Sequence, residues 1–356
     1  MGEFELVLEP RDFEPARQQW ARARGSVELD WTLAPAGGTT HPEGTAPYQE
    51  PELRRSHRRR EADGSLRERV EAPSREAWLT VRRGDCPPSV MRLQKLPGYA
   101  ERSRDELREV RIPVPTCAAS RAGMVRIPAG PYWRPADKDP VRPEQLVEVG
   151  DFAVDLTEVT NGQFRLFENE VLPRGKEERV PPPDLPIFSR SLQPGSPVTG
   201  VDAFAAESFC LYMGKVLPTY DEWHKAFRGG LTLDAEGRIP NPDPRRGTVW
   251  LEAPEGPPAN LLDVGDPYEG VAPVGSFPGD RSPYGLLDLA GNVAEWTGST
   301  EAQGKFRNLR IASGGRWDSP VKGGHHEASW SNHLPPRRFE FAIGMRCVER
   351  PGVRGP

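Results

Sequence analysis

Short apolar runs with strand-like spacing dominate the first third of the chain. The clearest are Phe4–Leu8, Ser26–Trp31, Ala77–Val81 and Val110–Val114. Successive side chains on a strand point to opposite faces, so short alternating or continuous apolar runs without helical periodicity indicate β-structure. The pattern predicts a small β-sandwich over residues 1–117, followed by a short linker of small and polar residues.

Helical signals begin after the linker. Thr160 or Asn161 can cap a helix whose first turns place Phe164 and Phe167 on one face. We therefore predict a helix that starts at this point.

Two further helices are predicted in the middle of the chain. Asp202 can cap the first of them, and Gly214 can end it. Thr219, with Glu222 three residues later, forms a capping-box pattern for the second, which should end at the glycine pair 229–230. No long helix is expected beyond this pair.

In the last third of the chain, glycine-containing and apolar runs flank a longer polar segment. The run Ser282–Trp296 is polar and contains glycine, and Gly314–Trp317 and Ile343–Val348 are anchors on either side of a polar, aromatic and histidine-bearing stretch. Loops held on a rigid frame commonly carry function. We therefore expect the functional surface between these anchors.

Composition and charge restrict the class of protein. The 356 residues include 40 prolines and 36 glycines, which favours a loop-rich body. The net charge of -5 gives no electrostatic footprint for nucleic acid or an anionic membrane. The basic run Arg54–Arg60 is followed by acidic residues and has no interleaved aromatic residues, so a solvated loop is favoured over a phosphate-binding patch.

No apolar run approaches the roughly 20 residues that span a bilayer. The first five residues are acidic where a secretory signal would be basic and then apolar. From the sequence we expect a soluble cytoplasmic protein.

The four cysteines, Cys86, Cys117, Cys210 and Cys347, are far apart and form no CxxC pair. Zinc-ribbon and thioredoxin-like sites are thereby disfavoured. Taken alone, each cysteine is expected to be a small buried apolar residue.

Five motifs in order resemble the formylglycine-generating-enzyme (sulfatase-modifying factor) family. They are DFAVDLTEVTN at 151–161, GKVLPTYDEW at 214–223, APVGSF at 272–277, YGLLDLAGNVAEW at 284–296, and GGRW at 314–317 followed by IGMRC at 343–347. The resemblance covers residues 122–350. It implies an α+β, C-type lectin fold that is loop-rich with two core helices and that follows the mainly-β N-terminal domain.

The resemblance also implies two structural calcium sites. The first would use the side chains of Asn260 and Asp266 and the carbonyls of Leu261 and Tyr268. The second would use the side chains of Asp288 and Glu295 and the carbonyls of Gly291 and Val293. Ligands that are all oxygen suit this hard cation. The alternative is that these polar side chains only cap turns.

Active oxidases of the family bind copper(I) through two cysteines that shortly follow the glycine-pair motif, and soft thiolates suit that ion. The corresponding segment here, Trp317–Ser329, contains no cysteine. Cys210 and Cys347 match a structural disulfide of the family and could be bonded or simply packed. The resemblance therefore predicts a chain without the oxidase activity.

The segment 316–342 has the composition of a binding surface, because aromatic, arginine, histidine and small polar side chains supply contact area and adaptable hydrogen bonds. Its candidate ligand-binding residues are Arg316, Trp317, Asp318, Ser319, His325, His326, Trp330, Asn332, His333, Arg338, Phe339 and Phe341. The start and finish of the segment resemble the variable region of diversity-generating-retroelement variable proteins. We expect a macromolecular ligand, a protein, and neither nucleic acid nor a membrane span.

Two other hypotheses stay open at this point. The chain could be a metal-dependent oxidoreductase that uses His325, His326 or His333. Alternatively, it could be a regulatory module of a signalling system in which the N-terminal domain does the docking.

Overall fold

The computed structural model describes residues 3–23, 27, 29–35, 58–62, 64–71, 77–93, 108–136, 143–171, 179–180, 183–231, 243, 245–249, 257–262, 264–301, 304–324 and 326–351. Their strands are β1 Glu3–Glu14, β2 Gln19–Arg22, β3 Leu29–Pro35, β4 Arg58–Arg60, β5 Leu66–Glu71, β6 Ala77–Arg83, β7 Cys86–Leu93, β8 Arg108–Pro115, β9 Met124–Ile127, β10 Gly130–Arg134, β11 Gln145–Val149, β12 Phe152–Asp155, β13 Ala294–Thr300, β14 Arg310–Ser313, β15 Ser331–Leu334, β16 Ile343–Gly344 and β17 Val348–Glu349. The helices are α1 Cys117–Arg121, α2 Asn161–Glu170, α3 Ala203–Tyr212 and α4 Tyr220–Arg228, with 3-10 turns at Pro186–Phe188, Gly304–Phe306 and Val321–Gly323.

The N-terminal region contains two sheets. In one, the order is β2-β1-β5-β4, and β8 pairs with β1 in parallel; the other has the order β3-β6-β7. Along β6 the alternate residues Ala77, Leu79 and Val81 are fully buried, as strand periodicity requires. Trp31 joins the two sheets by donating its indole N–H to Glu68 at 2.8 Å. The predicted strands are confirmed; within the run at 26–31 the strand includes Leu29–Trp31, and Ser26 and Glu28 lie outside the described residues.

The three predicted helix starts are confirmed, because each is fixed by a local cap. Thr160 accepts the N–H of Gln163, whose side chain in turn accepts the Thr160 N–H. Asp202 caps α3, and Thr219 forms the predicted capping box at the start of α4. Each cap satisfies a backbone donor that the first helical turn leaves unpaired.

The rest of the chain is built from small sheets around α3 and α4. The sheets have the orders β10-β11, β17-β12-β9 and β15-β14-β13-β16. Within the described part, no helix has the length and apolar character that crossing a bilayer requires.

The N-terminal sheets and the C-terminal region share one core, and a buried arginine joins them. The guanidinium of Arg83 is 1% exposed. It donates to Ser120 and to the carbonyls of Pro115, Pro87 and Met213. A Cβ on Gly214 would lie 2.1 Å from this guanidinium, and the residue has a φ of +74°. Glycine is therefore required there both by space and by backbone conformation.

All four cysteines of the chain form disulfides, Cys86 with Cys117 and Cys210 with Cys347. The prediction of four unpaired small apolar residues is therefore wrong for Cys86 and Cys117, which a β-hairpin brings onto α1. For Cys210 and Cys347, the structure selects the bonded alternative. Disulfides are typical of oxidising compartments. The cytoplasmic location thus stays a prediction that these bonds argue against.

Candidate ligand-binding face

The predicted binding segment starts from a glycine pair packed against the loop 288–296. A Cβ on Gly315 would lie 2.0 Å from the carbonyl oxygen of Ala290, and Gly314 has a φ of +97°. Immediately afterwards, Trp317 donates its backbone N–H to the carbonyl of Asn292 at 2.9 Å. The loop and the segment therefore hold each other in place.

Three aromatic side chains form a half-buried cluster beyond this anchor. Phe188 lies edge-on to Phe341 at 5.4 Å and to Trp317 at 6.2 Å between ring centroids. The indole N–H of Trp317 donates to the carbonyl of Phe341 at 3.4 Å. The two ends of the predicted segment thus meet over Phe188, which sequence reasoning missed.

Exposed apolar side chains lie in chain segments that adjoin this cluster in sequence or through backbone hydrogen bonds. Among the described residues, seven large hydrophobic side chains are exposed, and one of them, Leu146, belongs to the separate β10-β11 sheet. We call the other six the apolar rim: Val180, Leu185, Ile187, Leu192, Leu262 and Val321. Leu185 and Leu192 are 53% and 50% exposed. Exposed apolar residues that cluster, rather than scatter singly, mark interaction surfaces.

Backbone contacts connect the rim to the segment. Val180 donates its N–H to Gly200, which in turn donates to the carbonyl of Glu340, next to Phe341. On the other side, Leu262 donates to the carbonyl of Ser319, two residues before Val321. Sequence reasoning missed the residues at 183–192. The sequence did offer one signal there, because apolar side chains occur in a proline-containing stretch that has neither helical nor strand periodicity.

Ion pairs border the aromatic cluster. Arg316 binds Asp318 in a bidentate geometry at 2.8 and 2.6 Å. Arg338 pairs with Glu340 at 2.7 Å and is exposed. These pairs orient the charged side chains that the sequence predicted for the face and locally balance their charge.

The central part of the segment faces the body of the protein. The His333 side chain is 6% exposed, stacks on Phe306 at 4.4 Å and approaches Glu301 at 3.7 Å. In Trp330 and Asn332, the side-chain nitrogens are buried. The prediction of display for contact is therefore corrected for His333, which Phe306 covers, whereas Trp330 and Asn332 are half-buried with their side-chain nitrogens covered.

The remaining predicted contact residues differ in exposure. Ser319 is buried, and His326 and Phe339 are half-buried. His325 lies outside the described residues.

Glu295, predicted as a calcium ligand, is the partner of a buried arginine. Both side chains are 0% exposed, and Arg346 binds the two carboxylate oxygens at 2.7 Å each. Trp223 donates its indole N–H to the same carboxylate at 2.7 Å. Calcium ligation by Glu295 stays a prediction, and in the structure its oxygens accept from this cation and this donor.

Three other buried carboxylates surround Arg346. Burial, followed by repulsion from Asp288, raises the pKa of Asp280 to about 8. The same two causes raise the pKa of Glu158 well above its usual range. Asp288 accepts the Gly275 N–H at 2.5 Å, and burial raises its pKa. This excess of carboxylates over one guanidinium fits a hard cation, and sequence reasoning missed Glu158 and Asp280.

The first predicted calcium set forms a tight turn. Asn260 is buried, and its side-chain N–H groups donate to the carbonyl of Gly270 at 2.9 Å and to Asn292 at 3.0 Å. The Asp266 carboxylate accepts the N–H of Tyr268 at 2.8 Å, and burial raises the Asp266 pKa. Calcium at this turn stays a prediction beside the turn-capping alternative.

Comparisons with known proteins agree with the motifs. Residues 110–351 match the sulfatase-modifying factor enzyme 1-like domain. The chain is 30% identical over 277 residues to inactive C-alpha-formylglycine-generating enzyme 2 of Mus musculus, a match covering 66% of this chain and 88% of the mouse protein. It is also 30% identical over 217 residues to hercynine oxygenase of Mycolicibacterium smegmatis, covering 53% of this chain and 48% of that enzyme.

Among solved structures, Treponema denticola variable protein 1 aligns with a TM-score of 0.46 at 16% identity, covering 64% of this chain and 95% of that one. The predicted α+β fold, with few helices and many strands, is confirmed. Since the domain match extends over more than half of its residues, the chain belongs to the sulfatase-modifying factor enzyme 1-like family.

Proposed function

We propose that this protein is a non-catalytic binding protein whose contact surface consists of the aromatic cluster and the apolar rim. One observation carries the non-catalytic part: every cysteine of the chain is in a disulfide, and the segment 317–329 contains none. Copper(I) oxidases of this family need thiolates in the segment that follows the glycine pair, and no residue of this segment can supply one. The mouse relative named as inactive is consistent with the same loss.

The contact surface suits a protein ligand with apolar side chains. Aromatic side chains together with exposed apolar side chains and neighbouring ion pairs have the composition of protein interfaces. The half-buried rings of Phe188, Trp317 and Phe341 provide rigid area, and the rim provides apolar area that binding would remove from water. Diversification of the segment by a retroelement belongs to the same proposal, and sequencing this locus in sister isolates tests it.

The oxidoreductase alternative has weaker support. Within the described ranges, only one group of three residues, at Asp85, offers metal-ligating atoms close together, and it contains no histidine. His333 is stacked against Phe306 instead. Metal analysis of the purified protein separates the alternatives, since an oxidoreductase would retain iron or copper and would lose it in a His333→Ala variant.

A random peptide phage library selected against the whole protein tests the contact surface. We expect selected peptides to lose binding to an Ile187→Ser/Leu192→Ser variant and to bind a Leu146→Ser variant normally. Leu146 is a matched control because its exposure of 47% lies between those of Ile187 and Leu192, at 36% and 50%, and because it belongs to the separate β10-β11 sheet. Equal binding to both variants would place the contact surface elsewhere.

The non-catalytic part is tested separately with copper(I) and a cysteine-containing peptide under oxygen. Mass spectrometry should find no conversion of the peptide cysteine. Turnover of that cysteine would contradict the proposal.

A further inference from the structure

A hairpin turn brings two cysteines and a carboxylate together at the junction of the N-terminal sheets with the family domain. Gly84, with a φ of +57°, and Asp85 form the turn between β6 and β7, and Cys86 begins β7. Cys117 begins α1. The Asp85 carboxylate and the two sulfurs offer one ligand atom each, and all three atoms lie within 4.8 Å of one another.

The two disulfides differ in their access to solvent. Cys210 and Cys347 are both 0% exposed. By contrast, Cys86 is 8% exposed, Cys117 is half-buried, and Asp85 is exposed. Thiol–disulfide exchange requires that the attacking thiolate reach a sulfur atom. A dithiol reductant should therefore open the Cys86–Cys117 bond before the sealed one.

We propose that the reduced form of this pair, together with Asp85, is a binding site for Zn²⁺. A dithiol reduces the protein disulfide to two thiols and is itself oxidised to a disulfide, a transfer of two electrons and two protons. Zinc then displaces the two thiol protons, forms two Zn–S bonds and takes the Asp85 carboxylate as its third ligand. Water completes the tetrahedron on the solvent side.

The geometry and the donor atoms favour zinc. Zn–S bonds of about 2.3 Å place two tetrahedral sulfur ligands about 3.8 Å apart. The Cα atoms of the two cysteines are 5.8 Å apart, so this separation needs only side-chain rotation. A carboxylate ligand suits zinc and disfavours copper(I), which prefers thiolates alone.

Arg121, a cation that could pair with Asp85, is already bound to another carboxylate. Arg121 binds both oxygens of Glu349 at 2.7 to 3.0 Å. In the part of the chain that the structure covers, no ion pair involves Asp85. The carboxylate is thus available to a metal.

Zinc would preserve a crosslink that reduction removes. The Cys86–Cys117 bond ties the β6–β7 hairpin to a residue inside the family domain. In reducing surroundings a Zn²⁺ ion would hold the same two elements, so the junction would stay closed in either redox state. The inference does not depend on the binding face and concerns a different region.

The test uses the full chain, reduced without denaturant, freed of reductant and titrated with Co²⁺ and then Zn²⁺ under nitrogen. We expect alkylation followed by mass spectrometry to label Cys86 and Cys117 only. The reduced protein should show thiolate-to-cobalt charge-transfer absorption that zinc abolishes, at about one metal per chain, and the oxidised protein should show none.

Two variants identify the ligands. Cys86→Ser/Cys117→Ser should lose the charge-transfer band, and Asp85→Asn, a change at an exposed turn, should keep the fold and weaken zinc binding roughly tenfold or more. Alkylation of all four cysteines, absence of the band in the reduced protein, or unchanged zinc affinity in Asp85→Asn would each overturn the proposal.

Discussion

The Arg346 centre and the apolar rim differ in burial and in charge. At the centre, Arg346 and Glu295 are 0% exposed and bound to each other, whereas the rim side chains have no such partner and reach about half exposure. A buried charge needs its partner to be stable, while an exposed apolar side chain costs the fold little. The difference teaches that the motif residues Glu295 and Arg346 hold the scaffold, whereas the apolar rim, which we propose for contact, lies outside the family motifs.

The largest expected effect concerns the buried ion pair of Arg346 and Glu295. Replacing Arg346 with Met leaves Glu295 buried without its cation, which should lower the free energy of unfolding by about 3–5 kcal/mol. The matched control is Arg338→Met, because Arg338 pairs with Glu340 at the surface and such pairs contribute about 0–1 kcal/mol. Urea denaturation of both variants measures the difference, and equal losses would show that the two pairs are equivalent.

Chelation tests whether the carboxylates around Arg346 hold a cation. A metal bound only by the folded state stabilises it by mass action, by about 2.7 kcal/mol at a hundredfold excess over Kd. We expect excess chelator to lower the melting temperature and calcium to restore it. In an Asp288→Asn variant the chelator should lower the melting temperature less. An unchanged melting temperature of the native protein in excess chelator would contradict calcium binding at this site.

Lys225 is a second buried cation that can be compared with Arg346. Its partners are backbone carbonyls, whereas Arg346 is paired with a carboxylate. Its ammonium group donates to the carbonyls of Pro128 at 2.6 Å and Gly130 at 2.9 Å. Burial lowers its pKa to about 8 from 10.5. A folded-state pKa below the unfolded value means that folding favours the neutral amine, so stability should rise as the pH increases through 8 towards 10.

The expected gain is about 1 kcal/mol between pH 8 and 9.5 relative to a Lys225→Met variant, in which this dependence should vanish. Denaturant titrations of both proteins across this pH range provide the measurement. Parallel profiles would show that Lys225 keeps its ordinary pKa in the fold.

The smallest expected effect on stability concerns the exposed residues of the apolar rim. Ile187→Ser and Leu192→Ser should each change the free energy of unfolding by no more than about 0.5 kcal/mol, because surface substitutions remove little buried area. Their melting temperatures should match that of Leu146→Ser. A marked loss at Ile187 or Leu192 would show that the rim packs against the body.

Features fixed by neighbouring residues could be predicted from the sequence, and features fixed by distant ones could not. Thr160, Asp202 and Thr219 start their helices because each cap acts within three residues. The role of Glu295 depends on Arg346, 51 positions later, and nothing in the local pattern around Glu295 reveals that ion pair.

The same limit applies to the binding face. His333 has the chemistry of a contact residue, and only the folded chain shows that it stacks on Phe306 with its side chain 6% exposed. Conversely, Ile187 and Leu192 carry no periodic signal, so their exposure became visible only in the folded chain.

The parallel pairing of β8 with β1 has a practical consequence for anyone who trims this protein. The domain match begins at residue 110, inside β8, and the partner strand of β8 is the first strand of the chain. A fragment cut at the domain boundary would keep most of β8 and lose its partner β1. The backbone amides and carbonyls of β8 that pair with β1 would then be unsatisfied along an open sheet edge, which favours self-association. Soluble expression should therefore require the N-terminal strands, and a truncated fragment should precipitate although it contains every family motif.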